Sequence, residues 1–169
     1  YAITAPIFSD KAASVAAPIL FADQHIQAQR LRKDGTMQLV RTECNSVVKD
    51  YTLDLTGSYQ LKNVVGVLAA VQQIQQLGFT ISQEELSYAL GHVQVLTGLQ
   101  GRWQTLSTSP LMICDTGHNE DGIKEVIKNL KDESFQQLHV VIGAMGDKDL
   151  DHMLSYLPKD AIYYFSSPN

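Results

Sequence analysis

The 169-residue sequence predicts an α/β chain in two parts: a front part with antiparallel strands and packed helices, and a back part built on a parallel sheet with flanking helices. Three observations predict it. Short strand-like runs separated by turn residues fill residues 30–55. A helical period takes over after Gly57, and from Gly101 apolar runs alternate with amphipathic ones, the rhythm of a parallel sheet joined by right-handed crossovers. The change of rhythm places a domain boundary near Leu99, dividing residues 1–99 from residues 100–169.

Taken in order, Ser9 opens an alanine-rich helix to Ala17, and Pro18-Ile19-Leu20-Phe21-Ala22 reads as a short buried strand. Asp34-Gly35-Thr36 is turn chemistry between Arg30-Leu31-Arg32 and Met37-Gln38-Leu39-Val40, and Val47 to Leu55 alternates as a half-solvated strand does. Val64, Leu68, Val71, Ile74 and Leu77 recur at three- and four-residue steps, with Gly78 where a helix stops. Ser82-Gln83-Glu84-Glu85 is a capping box opening a helix to about Val95. The back part then reads as strand Leu111–Cys114, helix Gly122–Leu130, strand Leu138–Ile142, helix Leu150–Leu157 and strand Ala161–Phe165.

Composition narrows the function classes. Eighteen acidic and 13 basic residues, a formal net charge of −5, are interspersed along the chain, so no basic stripe calls for a nucleic acid or an anionic membrane. No apolar run approaches the ~20 residues of a bilayer span, and YAITAPIFSDKA lacks the order of a secretory signal, so a cytoplasmic address is expected. Cys44 and Cys114 lack the spacing of a metal knuckle or redox pair and are expected to be reduced and buried. Tyr1 is not an initiator methionine and Ser167-Pro168-Asn169 follows a strand-like run, so both ends read as cuts in a longer protein.

Loops that follow strands of a parallel sheet are where ligands sit. Asp115-Thr116-Gly117-His118-Asn119 puts a carboxylate, an imidazole and an amide before a helix, a set able to accept from a ribose and face phosphate oxygens. Asp115 and Asn119 capping the loop's own backbone is the equally weighted alternative. Gly143-Ala144-Met145-Gly146-Asp147-Lys148-Asp149 offers close backbone approach and one cation between two carboxylates, or a solvated turn with Asp149 as a cap. Arg102, beside Trp103 at the expected boundary, reaches a phosphate or stays a surface arginine. Gln60 and Asn63 read an adenine edge or cap a helix. His25, His92, His139 and His152 have no ligand spacing, so no metal site is expected within the chain.

In order, these motifs resemble one family. Gly57-Ser58-Tyr59-Gln60-Leu61-Lys62-Asn63 is similar to the G-x-x-Q-x-x-N element of folylpolyglutamate and dihydrofolate synthases, relatives of the Mur ligases, and Gly101-Arg102-Trp103-Gln104 to their G-R-aromatic-E element. Asp115 to Asn119 resembles their D-G-A-H-N loop and Gly143 to Asp149 their later D-K-D loop, with Gln104, Thr116-Gly117 and Glu120 as departures from the pattern. The resemblance implies a Rossmann-like C-terminal domain preceded by the truncated end of an α/β ATPase domain. It implies ATP-dependent ligation of L-glutamate to dihydropteroate or folylpolyglutamate through an acyl phosphate, by a monomer. By position, Asn63, Arg102 and Asp115 would bind ATP. His118 and Lys148 would be catalytic, and Asn119, Asp147 and Asp149 would face the substrate. ATP and Mg²⁺ are the implied cofactors, the metal ligands lying outside this chain. No G-x-x-x-x-G-K-S/T occurs in the sequence, so the chain alone is expected to be inactive. A Mur-type amino-acid ligase and a nonenzymatic nucleotide- or partner-binding module are the alternatives.

Overall fold

The computed structural model describes residues 3–143 and 154–166. The Asp147-Lys148-Asp149 loop and the first half of the expected helix Leu150–Leu157 lie outside the described residues. Among the described residues the fold is mixed α/β with two antiparallel sheets and one parallel strand pair.

Strands β1 (Ile26–Asp34), β2 (Met37–Cys44) and β3 (Val47–Leu53) form an antiparallel sheet in that order. The Asp34-Gly35 turn closes β1 on β2 with Asp34 opposite Met37, and the tight β2–β3 turn carries Asn45 and Ser46 at φ 49° and 64°. The register of β1 against β2 shifts between Arg30 and Arg32, a bulge that leaves Leu31 at the surface. Alternation then decides the faces. Gln38, Val40 and Thr42 of β2 are buried on one side, with Val40 fully enclosed.

That face packs on α2 (Gln60–Gln76) and α3 (Gln83–Gly91) to form the core of Ile26, Val40, Tyr51, Leu53, Val64, Val65, Leu68, Ala69 and Leu90. The apolar stripe of α2 is buried at Val64 and Leu68, but Leu77 emerges to 78% exposure as the helix runs past the sheet. The capping box at the start of α3 forms as the sequence predicts: Glu85 N–H donates to Ser82 Oγ at 3.1 Å and Ser82 N–H to Glu85 Oε2 at 2.8 Å. The expected run to Val95 is broken at His92, after which α4 (Val93–Thr97) stops at left-handed Gly98.

Two expectations are corrected at the front. Helix α1 (Ala5–Ser14) starts earlier than Ser9, with proline in its first turn, where no intrahelical N–H is lost. Residues 18–22 form no strand: Ile19 and Leu20 are 45% and 46% exposed, and no neighbouring strand offers them a hydrogen-bond ladder. Cys44 and Cys114 are free, as expected, but partly exposed rather than buried.

In the back part β4 (Gln104–Thr108), which the sequence reading lacked, pairs antiparallel with β5 (Leu111–Cys114) as a hairpin. Helix α5 (Glu120–Leu130) follows, and β6 (His139–Gly143) pairs parallel with β7 (Ile162–Ser166), Val140 opposite Tyr163. The parallel arrangement expected for these last two strands is therefore present. Among the described residues, β5 belongs to the hairpin and not to that sheet.

Candidate functional site

The sheet positions the site through a polar row at its edge. Arg30 Nε donates to Gln38 Oε1 at 2.8 Å, and Arg30 Nη2 donates to the carbonyl of Thr56 at 3.0 Å. Gln38, at 1% exposure, turns its amide to the carbonyl of Leu55. A buried polar side chain persists only when its hydrogen bonds are made, and here they are made to the loop that leads into α2. Residues 55–58 are thereby held against the sheet.

From the end of that loop and the first turn of α2, Ser58, Tyr59 and Lys62 reach across to the back part. Ser58 donates its N–H to Asn129 Oδ1 at 2.7 Å and its hydroxyl to Glu125 Oε2 at 2.7 Å, which ties the start of α2 to α5. Lys62 adds an exposed ion pair to Glu125 at 3.3 Å. Burial raises the pKa of Glu125, but the Ser58 hydroxyl and the lysines outweigh it and hold the carboxyl below its ordinary value. Tyr59 donates its hydroxyl to Asp115 Oδ2 at 2.8 Å. Burial first, and the Asp115 carboxylate second, push the Tyr59 phenol far above its ordinary value, so it is a donor at any physiological pH.

Asp115 is the hub. Oδ2 also accepts the Trp103 N–H at 2.8 Å, and Oδ1 accepts the Gly117 N–H at 2.8 Å. A carboxylate offers about four acceptor positions, so three protein donors leave room for one more. Gly101 lies at φ 67°, and Trp103, 5% exposed, at φ 52°, a left-handed conformation that a bulky residue rarely holds. Between these two left-handed residues the chain turns Arg102 outward. Its Nη1 donates to Thr116 Oγ1, and Thr116 donates both its N–H and its hydroxyl to the Gly101 carbonyl, at 2.9 and 3.1 Å. Gln104, where the resembled pattern has an acid, still supplies an acceptor, taking the Gly101 N–H on Oε1 at 2.9 Å.

The structure thus brings Arg102, Asp115 and Thr116 together beside Tyr59. Asn63 lies one turn along α2, exposed, with Nδ2 donating to Gln60 Oε1 at 2.9 Å. His118 is exposed, with Nδ1 3.1 Å from the Thr116 carbonyl. Asn119 caps α5, its Oδ1 accepting the Gly122 N–H at 2.8 Å, so the capping alternative holds at that position. Asp147, Lys148 and Asp149 lie outside the described residues. No three His, Cys, Asp or Glu side chains gather as a metal site among the described residues. No described helix is long and apolar enough to cross a membrane. Sequence reading missed the Tyr59 hydroxyl, Ser58, Glu125 and Asn129. Their partners lie 56 to 71 positions away, and no spacing rule reaches that far.

Residues 101–169 match the model of the Mur ligase, glutamate ligase domain. The chain is 31% identical over 122 residues to a probable bifunctional folylpolyglutamate synthase/dihydropteroate synthase of Haloferax volcanii, covering 72% of this chain and 14% of that protein. To the folylpolyglutamate synthase of Lacticaseibacillus casei it is 26% identical over 164 residues, covering 92% of this chain and 37% of the relative. The chain therefore spans well under half the length of these curated relatives. Among solved structures, a complex described as FPGS-AMPPCP-folate superimposes with a TM-score of 0.80 at 24% identity, covering 95% of this chain and 39% of that one, a likeness of fold. The chain belongs to the Mur ligase superfamily, as a segment of the folylpolyglutamate synthase/dihydrofolate synthase type.

Proposed function

We propose that the protein carrying this chain is an ATP-dependent ligase that joins L-glutamate to dihydropteroate, to (tetrahydro)folylpolyglutamate, or to both. The observation that carries the reading is the cluster at the junction: Arg102 turned outward between two left-handed residues, next to an Asp115 carboxylate fixed by three donors. In this reading Asp115 accepts from the ribose hydroxyls, Arg102 neutralises phosphate charge, and Asn63 meets the adenine. His118 stands near the terminal phosphate. Asn119, Asp147, Lys148 and Asp149 line the glutamate side, with Lys148 and His118 in the catalytic roles.

The chemistry supports such a division. ATP is consumed as a substrate that phosphorylates the folate carboxylate, after which the glutamate amine displaces phosphate from the acyl carbon. An acyl phosphate must be kept from water, which a nucleotide site shared between two domains can do on closure. Mg²⁺ would neutralise the phosphates, and no described residue is assigned to it. The reading includes a boundary near Leu99, completion of the β6–β7 pair as a Rossmann-like sheet, a monomer, and a cytoplasmic address.

The chain by itself, with no G-x-x-x-x-G-K-S/T loop to hold the phosphates, is proposed to have no ligase activity. An ATP-dependent ligation assay with glutamate, run in parallel on dihydropteroate and tetrahydrofolate, tests both statements. The intact protein should consume ATP only when glutamate and one of the two acceptors are present, and the isolated chain should not turn over. Absence of ligation by the intact protein with either acceptor would overturn the reading.

A further inference from the structure

Tyr59 stands at the end of the 55–58 loop, and its ring lies so close to Gly57 that a Cβ there would come within 2.9 Å of it. The ring therefore packs on the Gly57 backbone, and its hydroxyl meets Asp115 Oδ2 at 2.8 Å. On the opposite edge of the same carboxylate the Gly117 N–H holds Oδ1. With Trp103 N–H sharing Oδ2, the carboxylate plane is fixed from three directions. Two of those donors are backbone groups of the back part itself. The third, Tyr59, comes from the front part and begins the helix that carries Asn63.

Resting on the function proposed above, we propose that Tyr59 is a positioning residue for nucleotide binding: its hydroxyl sets the orientation of Asp115 and couples it to the α2 start that carries Asn63. Two contacts to one nucleotide are useful only if their spacing is set before the ligand arrives, since ordering them on binding costs affinity. In this role Tyr59 acts through Asp115 and supplies no ligand group of its own. Its removal therefore weakens ATP without removing a ligand group.

The experiment compares the intact protein with its Tyr59→Phe and Ser58→Ala variants, reading thermal stability and the Kd of a non-hydrolysable ATP analogue by calorimetry. Ser58→Ala loosens the same junction through Glu125 but leaves Asp115 untouched. Both variants should melt below the wild type. Loss of a hydrogen bond to a charged group corresponds to roughly a tenfold rise in Kd, expected in Tyr59→Phe alone. Glutamate KM should stay within about twofold in both variants, a margin smaller than one hydrogen bond is worth. Unchanged nucleotide affinity in Tyr59→Phe, or an equal loss in Ser58→Ala, overturns the positioning role while leaving the proposed function standing. A wild-type protein that does not bind the analogue sinks that function and this inference with it.

Discussion

Ser58 and Asn129 are joined by a 2.7 Å hydrogen bond from backbone N–H to side-chain Oδ1, buried at both ends although 71 positions separate them in sequence. With the Ser58 hydroxyl bond to Glu125, it ties the sheet-bearing front part to α5. The Arg30–Asp132 pair spans the same gap at 3.4 Å, but Asp132 is 55% exposed and the pair is screened by solvent. A buried donor left without its acceptor costs its full desolvation, about 1–3 kcal/mol, whereas an exposed ion pair is worth about 0–1 kcal/mol. Asn129→Ala should therefore lower stability by that larger amount, and Asp132→Ala by about 0.5 kcal/mol or less. Urea unfolding of the two variants side by side checks the ranking. Equal effects would mean that the junction is held by charge.

Glu125 makes the junction sensitive to acid. Its pKa is held below the ordinary 4.5 by the Ser58 hydroxyl and the Lys62 and Lys128 ammoniums, which outweigh burial. A depressed carboxyl contributes stability that is present above its unfolded value and lost as pH falls through the folded one. Glu125→Gln should destabilise the protein at pH 7, and the gap from wild type should shrink as the pH is lowered from about 5 into the acid range. Denaturant midpoints measured across that range decide it. A gap that stays constant would show that the charge of Glu125 contributes nothing to the fold.

How much of this was legible beforehand depends on sequence distance. The Ser82 capping box, the Gly35 turn and the Asn119 cap were readable because each is a bond between residues three apart or fewer, where side-chain chemistry dictates local geometry. Strand β4 was not, since Gln104–Thr108 has one apolar residue and becomes a strand by pairing with Leu111–Cys114. The apolar run at 18–22 misled in the opposite direction, having strand-like residues without a partner edge. At the site, the residue types of Arg102, Asp115 and Asn119 singled out two loops, and the structure brings Arg102 and Asp115 close to one another through Thr116 and Trp103. What pins Asp115 could not be read, because Tyr59 lies 56 positions away and reaches it only once both parts are folded.

The cap of α3 gives a local test of the same reasoning. Ser82 accepts the Glu85 N–H, and the Glu85 carboxylate accepts the Ser82 N–H, so its pKa is lowered chiefly by that backbone bond. Ser82→Ala removes one of the two bonds and should cost about 1 kcal/mol. Because α3 lays Leu90 into the core against β3, the loss should be felt globally rather than as local fraying. Hydrogen exchange separates these outcomes. Protection lost in residues 83–91 alone would mean that the helix is only loosely coupled to the sheet.

Gly101 and Thr116 are joined at the base of Arg102, Thr116 donating its N–H and hydroxyl to the Gly101 carbonyl, and their energies should not add. A Cβ at Gly101 would collide with the Thr116 Cγ2 methyl, and φ of 67° is unfavourable for any L side chain. Gly101→Ala should therefore destabilise by about 1–3 kcal/mol, from conformational strain plus the clash. Thr116→Ser removes the offending methyl while keeping the hydroxyl that binds the Gly101 carbonyl and accepts from Arg102. In the Thr116→Ser background the cost of Gly101→Ala should fall to the conformational part alone, on the order of 1 kcal/mol, giving a coupling that a double-mutant cycle reads directly. Strict additivity would place the whole penalty in the backbone conformation, and Thr116 would then be free to vary without disturbing the turn that presents Arg102.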